Sequence, residues 1–536
     1  MQRETHSIPM RRGSTGTHVE TRPIYIEEWL DSLPYIDFNK TSRLLLEATE
    51  LTNKESIKPE VREELVRLYY RPYQYYLDSQ IKSGAQHALQ AIETLQGQIG
   101  VLKQFANNLA EACRLTIEEG QNRKTIWRQK KSPLPTLLMQ MNLLSHVLIF
   151  SYLEYAPVPG TIWRELNGLY AHAENTNQQF ATVVPPGGDV KQDATTIANA
   201  YKRILLASMV DPYHLPFGAI WEVYIQLRGW SEHAGLKPCS RVNHAEGYYV
   251  IDLDGDSGPE AYGKFDPDAA GKSHRLIDTN SLGAIVNKLL DRLNSGKSLD
   301  EKVHLSVFYA NTVLAQMATA WGRPAVRYSP RDSGAGFVHV TSGMNAVYYY
   351  LNGKQEFKAP EKREEEKVIS AVGGFNQPEE HKTQSYTMDQ WDLVDQGPGG
   401  FAISKNEKPG IAIKVGDLIG ISRTEEGSLA LGVIRWLMIS AECVYRVGIQ
   451  SIAADAVPAA VRAISGSTME TSFSRAIIAG DFSLTGENDV ICGSGLFKAT
   501  SEYELSVAGK TMRGRSGTQV ETTANFSHFI VAPLER

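Results

Sequence analysis

Between Ile24 and Trp321 the apolar residues recur mostly at i, i+3 and i+4, the spacing of one helix face. The clearest stripe runs Leu89, Ile92, Leu95, Ile99, Leu102, Phe105, Leu109 and Cys113. The pattern predicts helices over 61–77, 85–118, 134–154, 160–177, 195–209, 217–233, 281–293 and 299–320, interrupted by a strand-like run at 248–253. After Trp321 the period shortens towards two. Short runs at 337–340, 346–351, 390–394, 401–403, 411–413, 417–422, 428–438 and 443–449 read as strands, with Gly, Pro and Asn between them. Further runs at 473–479, 503–507 and 529–531 extend the β texture to the end.

This order predicts an α+β multidomain chain. Residues 1–20, rich in Arg, Thr, Ser and Gly, read as a disordered lead. A helical, repeat-like domain follows over 21–321, then a small antiparallel β-barrel over 322–457. The tail, 458–536, is a β-rich extension that either packs on that barrel or forms a second, degenerate one. Residues 353–385, strand-poor and loaded with Glu and Lys, read as a charged insertion within the first barrel.

The 536 residues suffice for two to four domains, with 42% hydrophobic and 22% charged residues, as in ordinary globular protein. A net charge of −6 argues against a general binder of nucleic acid or acidic membranes. Cys113, Cys239, Cys443 and Cys492 are scattered without C-x-x-C spacing, which fits a reducing compartment and gives no zinc signature. Arg11 and Arg12 precede no apolar segment, so no secretory signal is read there. The most apolar stretch, 134–152, contains Gln140, Asn142, Ser145 and His146 and reads as a buried helix rather than a membrane span. The expected location is the cytoplasm.

Two motifs carry the candidate chemistry. The first is Arg327-Tyr-Ser-Pro-Arg331, two arginines on a Pro-containing turn before a strand. The second is Asp395-Gln-Gly-Pro-Gly-Gly400, an acid followed by a glycine turn. Arginine forks grip phosphate and stack on flat rings, while a carboxylate accepts hydrogen bonds from a guanine edge. Glycines let a ligand approach the backbone.

In combination these motifs resemble the PilZ domain, a bacterial β-barrel family that binds cyclic di-GMP through an RxxxR turn and a D/N-x-S-x-x-G motif. Asp395, Gly397 and Gly400 fall on the D, S and final G positions. Val415–Gly420, Leu431–Trp436 and Arg446–Gln450 follow the closing strands of that family. The resemblance implies that Arg327 and Arg331 hold phosphate and guanine, with Arg323 and Arg435 as further contacts. It departs from the family in three places. Gly397 replaces the usual Ser, removing a hydroxyl contact worth about 0.5–1.5 kcal/mol, or up to roughly tenfold in affinity. The two motifs lie farther apart than usual. Arg323 and Arg327 form a second RxxxR, although the 327/331 pair leads directly into the run at 337–340.

Other patterns give less. Asp252-Leu-Asp254-Gly-Asp256 lacks the glycine that an EF-hand turn requires, and reads as an acidic loop. His146 reads as a satisfied core histidine. No P-loop, nucleophile elbow or zincin motif is present, so no catalytic, metal or cofactor site is expected. The resemblance therefore implies a non-enzymatic receptor that couples cyclic di-GMP to protein partners through the helical domain, in motility, type IV pili or surface attachment. The alternative is a degenerate PilZ-type scaffold that binds no ligand.

Overall fold

A computed structural model describes residues 7–13, 16–84, 92–122, 134–185, 193–299, 303–306, 310–322, 332–360, 386–464 and 472–534. The chain divides into two compact units. One comprises 1–212, 218–306 and 313–325; the other comprises 213–217, 307–312 and 326–536.

The first unit opens with a hairpin of β1 (Met10–Gly13) and β2 (Gly16–Val19), in register Met10 to Val19. Ladder bonds thus order part of the segment read as a disordered lead. Among the described residues eight α-helices follow: α1 (Pro23–Asp31), α2 (Phe38–Lys54), α3 (Pro59–Gly84), α4 (Ile92–Asn122), α5 (Leu134–Leu153), α6 (Gly160–Asn175), α7 (Ile197–Met209) and α8 (Ala219–Trp230). Local caps set two of the starts. Asp37 accepts from Lys40 N at 3.0 Å, and Thr196 accepts from Asn199 N at 3.1 Å. The core stripe of α4 is confirmed by buried Ile99, Leu102, Phe105, Leu109 and Cys113; residues 85–91 lie outside the described ones.

Helix α5 is apolar on every face, so it is enclosed rather than half-exposed. It is long and apolar enough to cross a membrane, yet it lies inside this unit, as its interspersed polar residues predict. There the Nδ1 of His146 sits 2.8 Å from the Tyr73 hydroxyl, and burial pushes the imidazole down to about 3, which keeps it neutral.

The unit also holds a four-stranded antiparallel sheet: β3 (Gly235–Pro238), β4 (Tyr248–Asp252), β5 (Glu260–Ala261) and β6 (His274–Asp278), in the order β3-β6-β4-β5. The acidic loop after β4 is an ordinary turn. Asp252 accepts from Asp254 N, Asn167 donates to the carbonyls of Asp252 and Gly255, and Arg164 pairs with Asp256. Helices α9 (Asn280–Asn294) and α10 (Ala310–Trp321) follow. The predicted helix over 299–320 thus starts late. His304 N bonds the Gln226 side chain and Ser306 N the Glu222 carboxylate, each at 2.7 Å, which diverts those amides from a helical ladder.

The second unit holds two β-barrels. Its elements are β7 (Asp332–Ser333), β8 (Phe337–Ser342), α11 (Met344–Leu351), β9 (Asp389–Gly397), β10 (Gly400–Lys405), β11 (Leu418–Ser422), β12 (Ala430–Ile439) and β13 (Tyr445–Ala453). The tail adds β14 (Ala456–Ile464), β15 (Ser474–Ala479), β16 (Asn488–Gly493), β17 (Glu502–Val507), β18 (Lys510–Thr522) and β19 (Phe526–Pro533). In the first barrel β8-β9-β10-β13-β12-β11 form an antiparallel ring, closed by the β11–β8 pairing, with β7 added beside β9. Alternation places Trp391 and Leu393 of β9 inside and Asp392 and Val394 outside. The tail is itself a closed six-stranded barrel, so of the two forms open for it the second barrel is correct.

Two predicted strands are not strands. The run 411–413 is irregular. The run 346–351, misread from its three tyrosines, is α11, which starts at Gly343 with φ 90°. Val347 and Tyr348 of this helix join Leu418, Leu431 and Val433 of the first barrel and Ile477, Ile491 and Phe526 of the second in one apolar core.

Candidate functional site

The Asp395–Gly400 segment is the tight end of the β9–β10 hairpin. Gly397 pairs with Gly400, Gln396 with Phe401 and Asp395 with Ala402. Gly400 has φ 150°, and a Cβ there would collide with the carbonyl oxygen of Ile449 on β13. The last glycine of the motif is therefore required by the fold, whatever it does for a ligand.

The other side of β9 carries the segment that follows the arginine turn. Asp332 pairs with Gln396 and Ser333 with Asp395. Gly334 N then donates to Val394 O, and Leu393 N to Gly336 O, both at 2.9 Å. A Cβ on Gly334 would lie 2.6 Å from Leu393 Cγ, so this glycine permits the close approach of the two backbones. Sequence reasoning missed that role; the signal was a Gly-x-Gly pair just after the arginines. Arg323, Arg327 and Arg331 lie outside the described residues. Covalent connection still puts Arg331 one peptide unit from Asp332, whose partner belongs to the Asp395 motif.

Beside the hairpin an open cleft of about 390 Å³ is lined by Leu393, Gln396, Phe401, Ser422, Arg423 and Gly427, among others. The Arg423 guanidinium donates to Gln396 Oε1 at 3.1 Å. Arg435, singled out in the sequence, is engaged elsewhere. It protrudes where the β12–β13 register slips, its Nε donates to Gln450 Oε1 at 2.6 Å, and both Nη atoms bond the Glu521 carboxylate of the second barrel. Gln450 is the backbone partner of Gly400, so this fork ends near the glycine turn, with its Nε and both Nη atoms already engaged. Trp436 is half-buried and lies where a Gly448 side chain would otherwise stand.

A second cleft, of about 510 Å³, is lined by Ser342, Asn345, Lys414, Asp417 and Asn525, among others. Burial pushes the Asp417 carboxyl up to about 6, although Lys414 and donors from Ser342 and Asn525 favour its charged form. Nothing in the sequence marked it, because the residues around it, from Ser342 to Asn525, are distant in sequence.

A six-stranded antiparallel ring with a glycine turn beside an arginine-led strand defines a ligand-binding β-barrel of the PilZ class. The comparisons agree with this geometry. The family model described as "Cyclic-di-GMP receptor FimW, N-terminal domain" matches residues 25–240, and that for the middle PilZ domain of the same receptor matches 248–376 and 361–458. The cyclic-di-GMP receptor FimW of Pseudomonas aeruginosa is 22% identical, over 97% of this chain and 92% of its own length. No solved structure matches. The chain belongs to the PilZ-domain family, in the form that carries a large helical domain ahead of the barrel.

Proposed function

We propose that this protein is a bacterial, cytoplasmic receptor for cyclic di-GMP and not an enzyme. The observation that carries the reading is the pairing of Asp332–Ser333 with Gln396–Asp395, which ties the end of the arginine segment to the acidic glycine turn. Arg327 and Arg331 grip phosphate and stack on guanine, with Arg323 as a further cation. Asp395 accepts from the guanine edge, and Gly397 and Gly400 keep the turn low enough for the base to reach the backbone. Arg435 acts through the fold, since its guanidinium already holds Glu521. The relative that aligns over 92% of its own length is named a cyclic di-GMP receptor, which supports the same ligand here.

Arg323 stands two residues and the 327/331 pair six to ten residues after the end of α10, so a ligand held there acts on the link between the helical domain and the barrel. The output is a contact between that domain and protein partners, in motility, type IV pili or surface attachment. Gly397 in place of Ser favours a second reading, a scaffold that has lost its ligand.

Calorimetric titration with cyclic di-GMP, beside an Arg327→Ala/Arg331→Ala double variant, separates the two. Micromolar or tighter binding that the variant loses supports the receptor. Absence of heat and of thermal shift at roughly 100 µM ligand leaves the scaffold.

A further inference from the structure

The two barrels share one topology. Numbering the six ring strands of each from its own start, both run 1-2-3-6-5-4 around the ring. The first does so as β8-β9-β10-β13-β12-β11, the second as β14-β15-β16-β19-β18-β17, and every pairing in both is antiparallel. The match extends to a motif. The turn between strands 2 and 3 of the second barrel reads Asp481-Phe-Ser483-Leu-Thr-Gly486, a complete D-x-S-x-x-G, at the place where the first barrel has Asp395–Gly400. It even contains the serine that the first barrel has replaced with Gly397. The matched family models end at residue 458 and say nothing of this barrel.

The two turns differ in what stands beside them. In the first barrel the chain enters strand 1 from the arginine segment, and Asp332–Ser333 runs along the acidic turn. In the second, only Ala454 and Asp455 separate β13 from β14, too few residues for a five-residue arginine turn. The residue held next to that turn is exposed Asp455, whose carbonyl accepts from Gly480 N at 2.8 Å. The residue beside that turn is thus acidic, whereas the segment leading into the first barrel carries Arg327 and Arg331 in its sequence. The serine is also employed internally. Gly486 N donates to Ser483 Oγ at 2.8 Å, and buried Asn488 accepts from Ser483 N and donates to the carbonyls of Ser483 and Gly486.

We infer that residues 456–533 are a second PilZ-type barrel, a duplicate of the first, whose signature turn has become structural, leaving one nucleotide site per chain, on the first barrel. Its present work is to buttress that barrel through the shared apolar core and the Arg435–Glu521 bridge. The site count rests on the receptor reading; the structural role of the turn does not. Losing two charge-assisted arginine contacts weakens a site by roughly a hundredfold or more, so this turn stays empty at concentrations that fill the first.

The test uses the full chain, with Asp395→Ala, Asp481→Ala and Ser483→Ala variants. The expected result is one binding event per chain, lost in Asp395→Ala and unchanged in Asp481→Ala and Ser483→Ala, with a lowered melting temperature for Ser483→Ala alone of the second-barrel pair. A second binding event that Asp481→Ala removes would overturn the inference while leaving the receptor reading intact. If the unmodified chain binds nothing, the receptor reading fails. The melting temperatures then decide, and an unchanged value for Ser483→Ala would overturn the structural role of the turn.

Discussion

Asp417 shows how one residue reports on its surroundings. Its carboxyl titrates near 6 instead of 3.8 because burial disfavours the charged form more than the donors from Ser342 and Asn525 favour it. Between these two values the folded chain holds a proton that the unfolded chain has released. The contribution of this group therefore weakens the fold as pH rises from about 4 to about 6, and the whole penalty, about 3 kcal/mol at most, applies above that. Asp417→Asn keeps one oxygen as an acceptor for Asn525, turns the other into an amide donor that the Ser342 hydroxyl can accept from, and removes the charge. It is expected to raise the melting temperature at pH 8 and to give little or no gain at pH 4, as read by calorimetric melts. Equal gains at both pH values would refute this account. Gly400 teaches a related lesson. The sequence presents it as a ligand-site glycine, whereas its φ and the Ile449 carbonyl make it indispensable to the turn itself.

At the scale of elements, the Arg435–Glu521 fork joins β12 of one barrel to β18 of the next. The arginine is over a third exposed, so solvent screens the pair, and a double-mutant cycle of Arg435→Ala and Glu521→Ala should give a coupling of about 0.5–1 kcal/mol in denaturant unfolding. Arg435→Ala should at the same time leave nucleotide affinity within a few-fold. A large loss of affinity would return Arg435 to the ligand site. Element types were largely legible, since long stripes such as Ile99 to Cys113 admit one period only. The failures have local causes. Tyr348-Tyr349-Tyr350 carries high β propensity, yet a helix is what sets Val347 and Tyr348 into the core between the barrels. The amides of His304 and Ser306 were diverted by side chains from α8, distant in sequence and so invisible in a local window. In the candidate site, Asp395 and the glycines were legible as a motif. That Asp332 would pair with Gln396 was not, because the intervening 63 positions carry no sign of register.

For the whole molecule, the family and the division into helices followed by barrel were legible from five ordered motifs. The repeat of the barrel was not, because beyond the turn signature the two copies share topology rather than obvious sequence. Their join has a consequence for synthesis. Leu431 and Val433 of the first barrel are covered in part by Ile477, Ile491 and Phe526, which leave the ribosome long after the first ring could close. Through that interval the nascent chain carries an open apolar seam, the kind of surface that recruits chaperones and seeds aggregation. Folding of the ligand-binding barrel is thus completed only when β19, which carries Phe526, has been made and pressed into place.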